Sequence, residues 1–221
     1  MLSRYRWLVL AAGTAAQTSF SAVIIGLPVL APKLRDAHDL SLVQVGVVLD
    51  SLWIGTLLTL LAWGLLADRF GERLVLATGL GTCGIATAAA GRADSFEALI
   101  VLVLLAGAAG ASVNAASGRA VMQWFPASER GFALGVRQTA IPVGGLISAL
   151  VLPALGLRSA FAFLGLLCLA GAAFGAAAIH DRKGHAEDDV LEPRSIAATL
   201  RDTGSGCSVS GAGSTWSRSW R

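Results

Sequence analysis

Two ionisable side chains stand inside long apolar runs of this 221-residue chain, and their chemistry depends on the solvent around them. Asp50 lies in "SLVQVGVVLDSLWIG" and Arg137 in "GFALGVRQTAIPVGG". A carboxylate and a guanidinium so placed can pair with each other, bind a substrate or serve a coupling proton. Three polar residues in similar runs, Gln17, Asn114 and Gln138, can line the same path or hydrogen-bond neighbouring segments. A second group is more crowded. The stretch "GLLADRFGER", residues 64–73, sets Asp68, Arg69, Glu72 and Arg73 between two apolar runs, with Gly64 and Gly71 among them.

The composition names the solvent. Hydrophobic residues make up 55% of the chain and charged residues 14%, with a mean hydropathy of +0.68. Soluble domains average roughly 45–50% apolar and about 25% charged, so too little polar surface remains here for water. Lipid is the expected partner. In a bilayer the backbone must satisfy itself, which leaves helices or closed barrels. Strand-type alternation is absent, and runs of about 20 apolar residues span the hydrocarbon layer as helices. The expectation is therefore an all-α membrane protein with six transmembrane helices. The spans cover residues 7–31, 42–66, 74–90, 96–121, 132–155 and 160–179, within a bundle over residues 1–180. Pro28 is expected to kink the first span. Glycines 107, 110, 144, 145, 171 and 175 let neighbouring helices approach closely.

Charge placement orients the spans. With the N-terminus in the cytoplasm, inside segments hold Arg4, Arg6, Arg69, Arg73, Arg119, Arg130, Arg182 and Lys183, and outside loops hold Lys33, Arg35, Arg92 and Arg158. That eight-to-four excess follows the tendency of short cytoplasmic loops to collect Lys and Arg, and puts both termini inside the cell membrane. Asp50 then lies about 12 Å deep from the outside and Arg137 about as deep from the inside, at about 1.5 Å per residue. In a core about 30 Å thick their levels are close enough for an arginine to bridge, so the two are expected to meet each other or one aqueous cavity. A structural pair, or an arginine that snorkels to the interface, is the plainer alternative.

The turn carries a pattern. Gly64-x-Leu66-Ala67-Asp68-Arg69-x-Gly71-x-Arg73 resembles the signature loop between the second and third helices of the major facilitator superfamily. "LPVLAPKL" is similar to the end of that family's first helix and "WFPASERGFALG" to its loop between helices four and five, so the likeness covers about residues 5–180. Ile141-Pro142-Val143-Gly144-Gly145 resembles the family's helix-five motif, with Ala140 and Ile141 where a leading glycine is usual. The resemblance implies a twelve-helix fold in two six-helix halves, working by alternating access to a shared site. It also implies that the loop acid, here Asp68, pairs with an arginine to hold one state, and Arg119 and Arg130 are the local candidates. Helices one and four line the cavity in that fold, which brings forward Gln17 and Asn114. "LIVLVLLAGAAG" departs from the family, lacking the arginine that proton-coupled members often carry there.

No enzyme, cofactor or metal site is expected. His38, His180 and His185 have no zinc spacing, and Cys83, Cys168 and Cys207 no ligand pattern. "GTCG" and "GAAG" lack the lysine of a phosphate loop, and the basic balance of +3 comes without the aromatic surface that nucleic acid needs. The functional expectation is a secondary transporter of a small solute, in contact with lipid and able to use a coupling proton. It is half-length, needing a C-terminal half or a homodimer partner. The alternative is a six-helix scaffold without transport. Residues 181–202 suit a cytoplasmic linker. Residues 203–221, "TGSGCSVSGAGSTWSRSWR", hold no spanning helix and read as a disordered, out-of-frame tail after a frameshift near Arg201. The topology is open to test by reporter fusions: Asp39 and Asp94 should report outside, and Arg69 and Glu129 inside. An inside signal at Asp94 overturns the assignment.

Overall fold

The computed structural model describes residues 2–179, with side chains from residue 5. The linker and tail assigned to residues 181–221 lie outside the described residues. The chain forms α1 (Leu2–His38), α2 (Leu42–Phe70), α3 (Glu72–Ala90), α4 (Phe96–Trp124), α5 (Ala127–Gln138), α6 (Ala140–Val151) and α7 (Leu157–Ala178), with a 3₁₀ turn at Leu152–Ala154 after α6. The described residues contain six segments long and apolar enough to cross a membrane, with α5, α6 and the turn forming the fifth. This is an all-α, multi-pass membrane architecture.

Local chemistry sets the helix starts. Ser41 accepts from the Gln44 amide while Gln44 Oε1 accepts from the Ser41 amide, a reciprocal cap that begins α2. Ser95 caps α4 singly, its Oγ accepting from the Ala98 amide.

Three segments differ from the sequence expectation. The first helix does not stop near Ala31 but runs through Pro28 and Pro32 to His38. Its extra turns are held: Leu34 is buried, and Lys33 Nζ donates to the carbonyls of Leu152, Pro153 and Leu155 at 3.0, 2.9 and 2.5 Å. Asp39, at φ 50, ends the helix, and the Leu40 amide donates back to Arg35 O. The fifth span is broken at Thr139. Pro142 has no N–H for the carbonyl of Gln138, and its ring crowds that carbonyl, which interrupts the helix locally although Thr139 stays helical and its amide still donates to Gly135 O. The turn after the second span is a single residue: Gly64 to Phe70 are helical, and Gly71, at φ 88, alone reverses the chain.

Close backbone contact holds the bundle. Apolar side chains gain nothing by leaving lipid tails, so membrane helices associate through packing and hydrogen bonds. On α2 and α4 the approach is mutual. A Cβ on Gly107 would stand 2.0 Å from Leu52 O, and one on Gly55 2.1 Å from Leu104 O. Carbonyls thus brought within reach accept side-chain donors from α2. Thr56 Oγ1 donates to Gly107 O at 3.1 Å, and Thr59 Oγ1 and Trp63 Nε1 donate to Ala108 O at 2.7 and 2.6 Å. Gly84 and Gly165 repeat the mutual approach between α3 and α7. Gly144 seats α6 on Thr18 O, next to the bond from Ser148 Oγ to Ala22 O at 2.8 Å.

The two kinds of glycine should behave oppositely. Gly107→Val overpacks the α2–α4 contact and should lower the stability of the detergent-solubilised protein by about 3 kcal/mol. Gly64 has open space around it within a helix, so Gly64→Ala should stabilise by about 0.5–1 kcal/mol. Thermal melts of both variants check this, and equal melting temperatures would refute the glycine contact.

Candidate functional site

One end of each of three helices, α2, α3 and α4, converges on one charge cluster. Asp68 lies in the last turn of α2, where the negative end of the helix dipole opposes a carboxylate. Compensation comes from α4: Arg119 Nη1 pairs with Asp68 Oδ1. The same guanidinium reaches Glu72 Oε1 at 3.5 Å through Nε. Glu72 occupies the favourable first turn of α3 and is 5% exposed, and Gln123 Nε2 donates to its Oε1 at 2.6 Å. Arg119 and Gln123 are four apart on α4 and so share a face. A single arginine thereby spans the Gly71 turn and ties the ends of α2, α3 and α4.

Of the two candidate partners for Asp68, only Arg119 meets it. Arg130 Nε donates instead to Met122 O and Phe125 O at 3.0 and 3.1 Å, closing the end of α4. Arg69 lies over its neighbour Phe70, 5.5 Å from the ring centroid. Arg69 and Arg73 fall on different helices, α2 and α3, on either side of Gly71. Nearby, Arg6 pairs with Glu129 at 2.9 Å and the Tyr5 hydroxyl donates to Ala178 O at 2.5 Å, fastening the first span to the fifth and sixth.

The second cluster lies within the membrane-length spans. Arg137, near the end of α5, donates from Nη1 to Gln17 Oε1 on α1 and to Ser117 Oγ on α4, both at 2.9 Å. Gln17 and Ser117 are buried, and the serine proton is already given to Val113 O at 2.6 Å, so its oxygen is free to accept. Arg137 Nε is buried without a hydrogen-bond partner. Asp50 does not meet Arg137: it is exposed on α2 and makes no ion pair among the described residues. Depth along a helix fixes level but not direction, and Asp50 points away from the α1–α4–α5 junction. Asn114 and Gln138 are exposed and make no bond to Arg137. Pro142 breaks span five, and Gly144 and Gly145 bring α6 against α1. Ser117 and Gln123 were not singled out from sequence, and Glu72 was noted in the charged turn but given no role. Glu72 and Gln123 carried a legible signal, an acid beside the Gly71 turn and a donor four residues after Arg119.

The coverage is uneven across the bundle. In its most apolar stretch, span one is 61% buried, span two 33% and span five 17%, so the last two present open faces.

Comparison with known proteins places these features. The family model described as Major Facilitator Superfamily matches residues 9–217. An uncharacterized MFS-type transporter of Mycobacterium tuberculosis is 36% identical over 159 residues, 72% of this chain and 36% of that protein. The hexuronate transporter of Bacillus subtilis is 30% identical over 122 residues, 55% of this chain and 29% of that one. A solved bacterial homolog of the human lysosomal transporter Spinster, inward-facing and unoccupied, superposes with a TM-score of 0.75 at 18% identity, covering 90% of this chain and 49% of that chain. The matched region thus spans about a third of these relatives and half of that structure.

The charge cluster around Arg119 predicts unequal losses. Asp68 and Arg119 are partly exposed, with side-chain exposures of 55% and 36%, so Asp68→Asn should change stability by less than about 1 kcal/mol. Arg119→Ala also removes the cation beside buried Glu72 and should cost about 3 kcal/mol. Thermal denaturation in detergent reads both, and a larger loss from Asp68→Asn would contradict this geometry.

Proposed function

This chain belongs to the major facilitator superfamily, and on that footing we propose that it forms one six-helix half of a secondary transporter for a small solute. It works by alternating access in the cytoplasmic membrane, with both termini inside. The observation that carries this reading is Asp50. It is exposed on α2, a helix otherwise lined with exposed Trp53, Ile54, Leu57, Leu58 and Leu61. A carboxylate at membrane depth cannot face hydrocarbon without a cost of several kcal/mol, so the open side of α2 faces water or protein. A second six-helix unit, enclosing an aqueous cavity against α2 and span five, meets that need. Asp50 is then free to carry a coupling proton. Arg137, Gln17 and Asn114 contribute to the solute path, with Gln138 at its edge. The Bacillus subtilis relative is named for hexuronate, a small polar solute.

The Asp68–Arg119 pair acts as a latch at the inner end. It joins helix ends through a contact weak enough to make and break, so its loss shifts the balance between inward- and outward-open states. In vesicles carrying the protein, screened for uptake of radiolabelled small solutes, Asp68→Asn should lower the initial rate about tenfold, a population shift of about 1.4 kcal/mol, at unchanged abundance in the membrane. Equal loss of abundance and rate would instead assign the residue to folding.

A further inference from the structure

We propose that the solute is a small oxyanion, a carboxylate in the first instance, and that Arg137 is its docking point. This rests on the transporter reading above and names the class of solute for it. The argument begins with charge. Among the described residues Arg137 has no acidic partner: its contacts are Gln17 Oε1 and Ser117 Oγ, which are neutral acceptors. They orient the guanidinium without neutralising it. An arginine inside a membrane protein is ordinarily paired or turned toward a functional path, because an uncompensated charge there costs several kcal/mol. Gln17 and Ser117 approach from two other spans and hold it in place, so it is not simply extended toward the interface.

The unused donors have a shape. Nη1 makes both bonds to the protein, leaving Nε and Nη2. Those two nitrogens share one edge of the planar guanidinium, the edge that receives both oxygens of a carboxylate side-on. Nε is closed off in this arrangement and lacks a partner, so a modest rotation of the side chain is needed to present the full edge. Nη2 lies over Gly118: a Cβ there would stand 3.9 Å from it, and no larger side chain occupies the space. Asn114, four residues before Gly118, shares that face of α4 and is exposed, which offers an amide beside the same space. The positive charge also repels cations, an effect that grows in a low-dielectric surrounding. Anions are selected by attraction, and cations are refused.

The test uses the protein as it assembles in its own membrane, extracted into lipid nanodiscs. Its melting temperature is followed against the potassium salts of acetate, lactate and glucuronate and their neutral counterparts acetamide, lactamide and glucose. A ligand that binds only the folded state raises the melting temperature saturably. At least one anion should do so and its neutral counterpart should not. Arg137→Gln should weaken the anion about 10- to 100-fold, as expected for a lost charge-assisted bond. Arg137→Lys should retain part of the affinity, since it keeps the charge but not the fork. Gly118→Val leaves the guanidinium and its two bonds in place while filling the space beside Nη2. It should weaken the anion similarly, which keeps the test decisive if Arg137→Gln fails to fold. Saturable binding of a neutral counterpart, unchanged in Arg137→Gln, overturns the anion assignment and leaves the transporter reading standing. Absence of saturable binding by any solute of either charge overturns this proposal and counts against the transporter as well.

Discussion

The register between α2 and α4 governs everything at the Asp68–Arg119 end of this bundle. The two helices run side by side in the same direction, and Gly55 and Gly107 allow their backbones to touch. Thr56 reaches the carbonyl of Gly107, a separation of 51 residues in the chain. Three turns further on, Asp68 reaches Arg119 at the same separation of 51. The ion pair is thus an outcome of a packing contact about 18 Å away, carried by two helices of equal rise. Had the glycines been one residue out of step, the acid and the arginine would sit on diverging faces.

Because lipid removes the ordinary drive to bury apolar groups, the polar contacts in this fold have unusual weight. Hydroxyls on α2 bond to carbonyls of α4, and Lys33 serves three carbonyls at the far end of span five. These bonds use backbone acceptors, which every helix owns, so they leave little trace in a pattern of residue types. The charges divide in the same spirit. Arg130 serves a helix end, Arg119 joins three helices, and Arg137 is held by neutral groups alone. Only the surroundings separate these three arginines.

Much of this was legible in the residues. Hydropathy located all six spans, because about 20 apolar residues in succession have few other uses. The pattern around Asp68 located the sharp turn, since Gly71 must adopt a conformation that other residues resist. The failures share a physical cause. Ending the first span near Ala31 treated Lys33 and Arg35 as loop residues, yet a lysine that finds three carbonyls extends its helix. Bringing Asp50 to Arg137 used rise per residue and ignored rotation about the axis. Span five crosses as one segment, as read, and only the local interruption before Pro142 left no mark in its apolar character. The role of Ser117 depended on which face of α4 meets α5, a fact of three-dimensional packing.

The break at Thr139 also decides how still Arg137 can remain. Beyond it, α6 is seated on α1 by Gly144 and Ser148, and its far end is gripped by Lys33. Arg137 lies two residues before the joint, about 3 Å along the helix, whereas Ala127 lies about 18 Å from it. Any bend of the fifth span at Thr139 would therefore displace the backbone of Arg137 about a sixth as far as that of Ala127, while Gln17 and Ser117 hold the guanidinium.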